Sequence, residues 1–278
     1  MKELTIYNKC LLRYNRVKEV LMTAIYRFFI FWYICGVLLL TFDFIPPWLE
    51  WANSVFLITA GLVSALYFIS MYGARFGVSY SIWIIVGSIF VEHLGVEYNF
   101  LFGSYEYTSN FGFKLFDTPI TIGFAWLLII GCSHEISRVI SKGHYSLLSA
   151  SRFILLGSLL AVTMDLILDP VSYKIKEYWI WMEPGIYYDI PLSNFIGWFV
   201  VAAVFHITFA ILSPQKRSSS SVWEKRLALV FGLIIGMFCL IALIGKLYFA
   251  VVLVTILTAI WYLLYFARRS MDDTSKKK

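Results

Sequence analysis

Eight stretches of this chain are almost wholly apolar: residues 24–44, 53–72, 78–96, 118–138, 150–169, 190–212, 226–244 and 247–267. About 20 such residues in helical form cross the hydrocarbon of a bilayer. The pattern predicts an all-α fold, a polytopic membrane helical bundle of about eight transmembrane helices. No internal repeat or second domain is evident, so residues 1–278 read as one integral-membrane domain. Residues 1–22 mix Lys2, Lys9, Arg13, Arg16 and Lys18 with apolar positions, which predicts an interfacial amphipathic helix. The last two spans meet at Gly245–Lys246, so residues 226–267 should form a tight helical hairpin. The serines at 218–221, with Lys and Arg beside them, read as a linker.

Composition agrees. The chain is 60% hydrophobic and only 14% charged, where a soluble domain would carry roughly a quarter charged residues. The net charge of +6 is not a nucleic-acid footprint, because the Lys and Arg residues sit in short loops and tails. All of the 23 Lys and Arg residues except Lys114, Lys174, Lys176 and Lys246 fall on one side of the predicted spans. By the positive-inside rule both termini are cytoplasmic, and loops 97–117 and 170–189 face the opposite side of the cell membrane. The first apolar run follows a polar, basic segment and lacks a small-residue cleavage site, so no cleaved signal peptide is expected. Cys10, Cys35, Cys132 and Cys239 are too scattered for a disulfide framework or a zinc site.

Candidate chemistry gathers at the outer ends of spans three to six. Asp165 and Asp169 are four residues apart and share a helix face. Pro170 predicts that this helix stops about there. Ionisable groups against hydrocarbon mark function by default. Two carboxyls in such surroundings favour one retained proton, which suits a general acid beside a water-orienting carboxylate. The bland alternative has the pair cap the loop through Tyr173, Thr163 or Lys174.

Glu92 and His93 diverge by about 100° on a helix, so only one can enter a pocket. Glu106 sits between Tyr105 and Tyr107 in the next loop, and Asn194 and Trp198 share a face of span six. Trp179, Trp181, Tyr187 and Tyr188 fit an interfacial aromatic belt. His134, Glu135 and Arg138 read as a solvated helix end, and His206 as a satisfied core histidine. His93 with the acids could bind a cation, but no ligand spacing demands a metal.

Two segments carry a resemblance: FGSYEYTSNFGFKLFDTPITIGFAW, which ends at Trp126, and MDLILDPVSYKIKEYWIWMEPGIYYDIPLSNFIGWF. Within residues 88–205 the chain resembles the CruF-type carotenoid 1,2-hydratases. It departs from their pattern at Asp189, where a glycine is expected, and at FDTP, where Gly-Val-Pro is usual. The resemblance implies water addition to the terminal double bond of an acyclic carotenoid, with no cofactor. Asp165, Asp169, Glu92, Glu106 and Asn194 are then the expected catalytic residues, with the acid role open between the aspartates. Tyr105, Tyr107, Trp126, Trp179, Tyr188 and Trp198 are the expected substrate-binding residues. The substrate, water and the lipid bilayer are the expected partners, with other enzymes of the pathway as further ones.

Two other classes compete. A membrane prenyltransferase would need paired Mg²⁺-binding acidic motifs and basic partners for diphosphate, and only one Asp pair exists. A lipid transporter or binding protein would place ionisable groups at mid-membrane with repeat symmetry, which is absent.

Overall fold

The computed structural model describes residues 2–42, 44, 47–49, 51–115, 117–144, 146–214 and 221–275, with side chains between Val17 and Met271 apart from Pro47 and Ser221. Eight helices follow one another: α1 (Lys2–Thr41), α2 (Trp51–Tyr72), α3 (Ala74–Tyr98), α4 (Ile120–Ser141), α5 (Leu147–Lys174), α6 (Leu192–Leu212), α7 (Ser221–Ile244) and α8 (Tyr248–Ser275). Each is long and apolar enough to cross a membrane. The protein is therefore an all-α polytopic bundle, and with eight spans Lys2 and Ser275 fall on one face, the one that the positive-inside count marks as basic. That face is called the basic face below.

The N-terminal segment is not a separate interfacial helix. It runs without a break into the first span as one 40-residue helix. Two side chains fasten α1 on either flank: Trp32 Nε1 donates to Ala52 O (3.1 Å) and Tyr33 Oη to Leu233 O (2.9 Å). The central helix is α4, packed between α2 and α5 and touching α3, α7 and α8 as well. Gly61, Gly123 and Gly131 explain that closeness, since a Cβ at any of them would press on a neighbouring helix.

The helix α5 begins with a reciprocal cap, Ser146 Oγ accepting from Ser149 N while Ser149 Oγ accepts from Ser146 N. It does not stop at Pro170 but continues to Lys174. A proline cannot donate to the carbonyl four residues back, which here is Leu166 O. Tyr187 Oη donates to that carbonyl at 2.6 Å. A loop tyrosine thus supplies the hydrogen bond the ring removes, and the helix runs about one turn past Asp169.

The opposite face is closed by two small antiparallel ribbons. Strand β1 (Tyr105–Tyr107) pairs with β4 (Trp179–Trp181), and β2 (Lys114–Leu115) pairs with β3 (Thr118–Pro119). The expected glycine positions Asp117 and Asp189 both have positive φ, 58° and 61°. Aspartate is one of the few other residues that tolerates this region. Asp189 is held by Lys174, 2.7 Å away. The α7–α8 hairpin turns through Lys246, also at positive φ.

The polar end of α4 corrects another expectation. His134 and Glu135 are fully buried, and Arg138 is nearly so. Arg138 reaches Glu135 at 2.7 Å and Glu224 at 3.3 Å, and Tyr67 Oη donates to Glu135 Oε2 at 2.6 Å. This is an interhelical ionic core, where losing one partner strands a charge at a cost of about 3–5 kcal/mol. His206 is buried too, with its Nδ1 donating to Ala202 O (2.7 Å) and its Nε2 without a partner among the described residues.

Candidate active site beneath the aromatic ribbon

Alternation along a strand places residues i and i+2 on one face. Tyr105 and Tyr107 of β1 face inward, and Glu106 between them is exposed. The register sets Tyr105 opposite Trp181 and Tyr107 opposite Trp179, so four aromatic rings roof the bundle. Their polar tips point at carboxylates. Tyr105 and Tyr107 donate to Glu92 Oε2 (2.6 and 2.8 Å), while Trp179 and Trp181 donate to Asp169 Oδ1 (2.8 and 3.2 Å).

Glu92 and His93 separate as their helical spacing requires. Glu92 is 4% exposed, and His93 is turned to the half-exposed flank of α3. A third donor, Trp126 Nε1 from α4, meets Glu92 Oε1 at 2.8 Å. Gly95, one turn along, makes room for this arrangement, because a Cβ there would stand 2.8 Å from the Tyr105 hydroxyl. The Tyr105 and Tyr107 phenols remain donors: burial first, and the Glu92 carboxyl second, push both well above the ordinary tyrosine range.

Asp165 and Asp169 are each 1% exposed. The α6 residue Asn194 joins them, its Nδ2 lying 2.9 Å from Asp165 Oδ2 and 2.6 Å from Asp169 Oδ2. Pro191 caps α6 from just outside its first turn and so sets Asn194 at the helix start. The two aspartates end up differently dressed. Asp169 accepts from three donors, whereas Asp165 Oδ1 is buried with no partner among the described residues. Two of the partners named for the loop-capping alternative are engaged elsewhere. Lys174 pairs with Asp189, and Thr163 donates to Leu159 O and accepts from Trp261.

Two adjoining spaces divide these groups. A polar chamber of about 20 Å³ is bounded by Glu92, Asp169, Asn194 and the four roof rings. That is room for about one water, since a single water needs roughly 10–15 Å³ so measured. The second space is an apolar cavity of about 90 Å³ among α1, α2, α4, α5 and α7, with Leu57, Ile129, Leu168, Val171 and Met237 in its walls. Asp165 is the one carboxyl among the described residues that line it. Ile122, Trp179 and Trp198 border both spaces. Trp198 stacks on Trp126 with ring centres 4.2 Å apart, which holds its indole in place at that border.

Most of the expected site therefore converges: Glu92, Asp165, Asp169, Asn194, Tyr105, Tyr107, Trp126, Trp179 and Trp198. Glu106 does not, being on the outer side of β1, and neither does Tyr188, whose hydroxyl accepts from Ala250 N at the start of α8 (3.2 Å). Trp179, Trp181 and Tyr187 are not an aromatic belt, because each makes a hydrogen bond inside the protein. Sequence reasoning missed Trp181 as a site residue. The Y-x-Y and W-x-W pairs at strand period were the signal. Helix α7 also contributes to the cavity, where Met237, Phe238 and Ile241 form part of the wall. Among the described residues no three His, Cys, Asp or Glu side chains form a metal-binding group.

Fold and site together define a polytopic membrane protein with carboxylate-lined, partly apolar cavities near one face. The family model described as carotenoid biosynthesis protein matches residues 52–264, most of the chain. The chain belongs to that carotenoid biosynthesis family and has a role in making these pigments. No curated protein and no solved structure matches it. The matched residues include α2 to α7 and most of α8, hence every carboxylate of the site, and leave α1 outside.

Proposed function

We propose that the protein adds water across the terminal carbon–carbon double bond of an acyclic carotenoid. The observation that carries this reading is the split between the two aspartates. Asp165 has an oxygen without a partner among the described residues and lines an apolar cavity, while Asp169 accepts from three donors beside a water-sized polar chamber.

The chemistry follows from that split. Three donors suit an ionised acceptor, so Asp169 is the carboxylate and Asp165 keeps the proton. Asp165 gives its proton to the less substituted alkene carbon, and the π pair forms the new C–H bond. The neighbouring carbon becomes a tertiary cation facing Trp198, whose π-face stabilises positive charge. Water held by Asp169, Glu92 and Asn194 forms the C–O bond and passes a proton to Asp169. Return of that proton to Asp165 through the next water resets the site, and no electrons are gained or lost. General acid–base catalysis of this kind contributes on the order of 10²–10⁴ in rate.

The test is turnover of an acyclic carotenoid by the purified protein in water labelled with heavy oxygen. The reading expects one heavy oxygen in a tertiary alcohol, without added metal or redox cofactor. Product that lacks the label, or activity that depends on Mg²⁺ and a diphosphate substrate, would overturn it.

A further inference from the structure

A third space lies apart from Glu92, Asp165 and Asp169, between α7 and α8 on the basic face. It measures about 510 Å³, and its lining is Lys225, Ala228, Leu229, Tyr262, Tyr265, Phe266 and Arg269. We propose that this groove binds one anionic phospholipid, phosphate between Lys225 and Arg269, acyl chain along Leu229, Tyr262 and Phe266.

Shape and charge both favour this occupant. The two helices touch tightly one turn deeper, where a Cβ on Gly232 would stand 2.4 Å from the Tyr262 hydroxyl. Tyr262 Oη donates to Ala228 O at 2.6 Å, which ties its ring to α7 at the inner end of the groove. Towards the basic face the groove ends in the two cations. Arg269 is set by Tyr265, whose hydroxyl accepts at 2.6 Å, and by Glu224 at 3.3 Å. Those two bonds use two of the five guanidinium N–H groups, which leaves donors for a phosphate. Glu224 is already shared with Arg138, and Arg138 with Glu135. Among these described side chains Arg138, Arg269 and Lys225 outnumber Glu135 and Glu224, so the groove rim keeps a positive surplus. Lys225 is exposed and has no hydrogen bond or ion pair among the described residues. A cation pair above an apolar floor between spans matches a phospholipid with a net negative head, and basic groups on the inner face attract acidic lipids.

Native mass spectrometry of the full chain, with phosphatidylglycerol or phosphatidylcholine added at equal concentration, tests this. The proposal expects phosphatidylglycerol to be retained about tenfold better, with one molecule per chain. Lys225→Gln should cut that preference several-fold. Leu229→Trp, which fills the floor and leaves both cations, should abolish lipid retention. Lys142→Gln, on the same face outside the groove, should change nothing. Equal retention of the two lipids, equal losses for Lys142→Gln and Lys225→Gln, or displacement by inorganic phosphate alone would overturn it. So would a dimer that Leu229→Trp dissociates, since a second copy would then be the occupant.

Discussion

The side-chain amide of Asn194 lies 2.9 Å from Oδ2 of Asp165, and this contact leaves Oδ1 as the oxygen with no partner among the described residues. The carboxyl is thereby fixed by one oxygen and free to react through the other. Asp165→Asn keeps the shape and removes the acid, so turnover should fall by on the order of 10²–10⁴. The variant should still insert and melt within a few degrees of wild type. Pigment assays on matched amounts of protein check both, and wild-type turnover would remove Asp165 from the proton step.

Trp181 contributes one N–H to Asp169 Oδ1 at 3.2 Å. Phenylalanine there keeps an aromatic ring opposite Tyr105 and loses only the donor. A hydrogen bond to a charged group is worth about 1.5–3 kcal/mol, so Trp181→Phe should lower kcat roughly ten- to a hundredfold while KM for the apolar substrate holds. Steady-state kinetics in detergent would show a changed KM instead if the ring merely packs against substrate.

Tyr187 and Pro170 form a compensating pair through Leu166 O. Removing the hydroxyl with Tyr187→Phe leaves a buried carbonyl unpaired and should cost about 1–3 kcal/mol. Pro170→Ala restores a backbone N–H to the same carbonyl. Thermal unfolding of both single variants and the double should therefore give strongly non-additive losses, with the double more stable than Tyr187→Phe alone.

The two kinds of ion pair should differ sharply. Lys174–Asp189 is exposed, and Lys174→Ala should shift stability by less than about 1 kcal/mol. Glu135→Ala leaves the buried Arg138 with Glu224 as its one acidic partner among the described residues and removes the Tyr67 acceptor, so it should cost up to about 3–5 kcal/mol. Urea-gradient or thermal melts of the two variants side by side check the contrast.

The frame was legible from hydropathy because a bilayer requires long apolar helices, and all eight spans fall where the apolar runs put them. That Asp165 and Asp169 share a face, and that only one of Glu92 and His93 can turn inward, followed from helical spacing. What the sequence hid were compensations made at long range. Pro170 ends a helix unless something else bonds Leu166 O, and nothing local reveals that Tyr187 does so. His134, Glu135 and Arg138 read as a solvated end because their burial depends on partners on α2 and α7. Trp181 looked interfacial because an indole is at home in either place, and only the pairing of β4 with β1 turns it inward.

The central claim is that this site hydrates a carotenoid end group. The most direct measurement is expression of the chain in a bacterial host that accumulates a coloured acyclic carotenoid, followed by mass and absorption analysis of the pigment. The account predicts a more polar pigment, heavier by one water, with an unchanged polyene spectrum, and its absence with Asp165→Asn. Recovery of only unmodified pigment from wild-type protein, over several acyclic substrates, would contradict it.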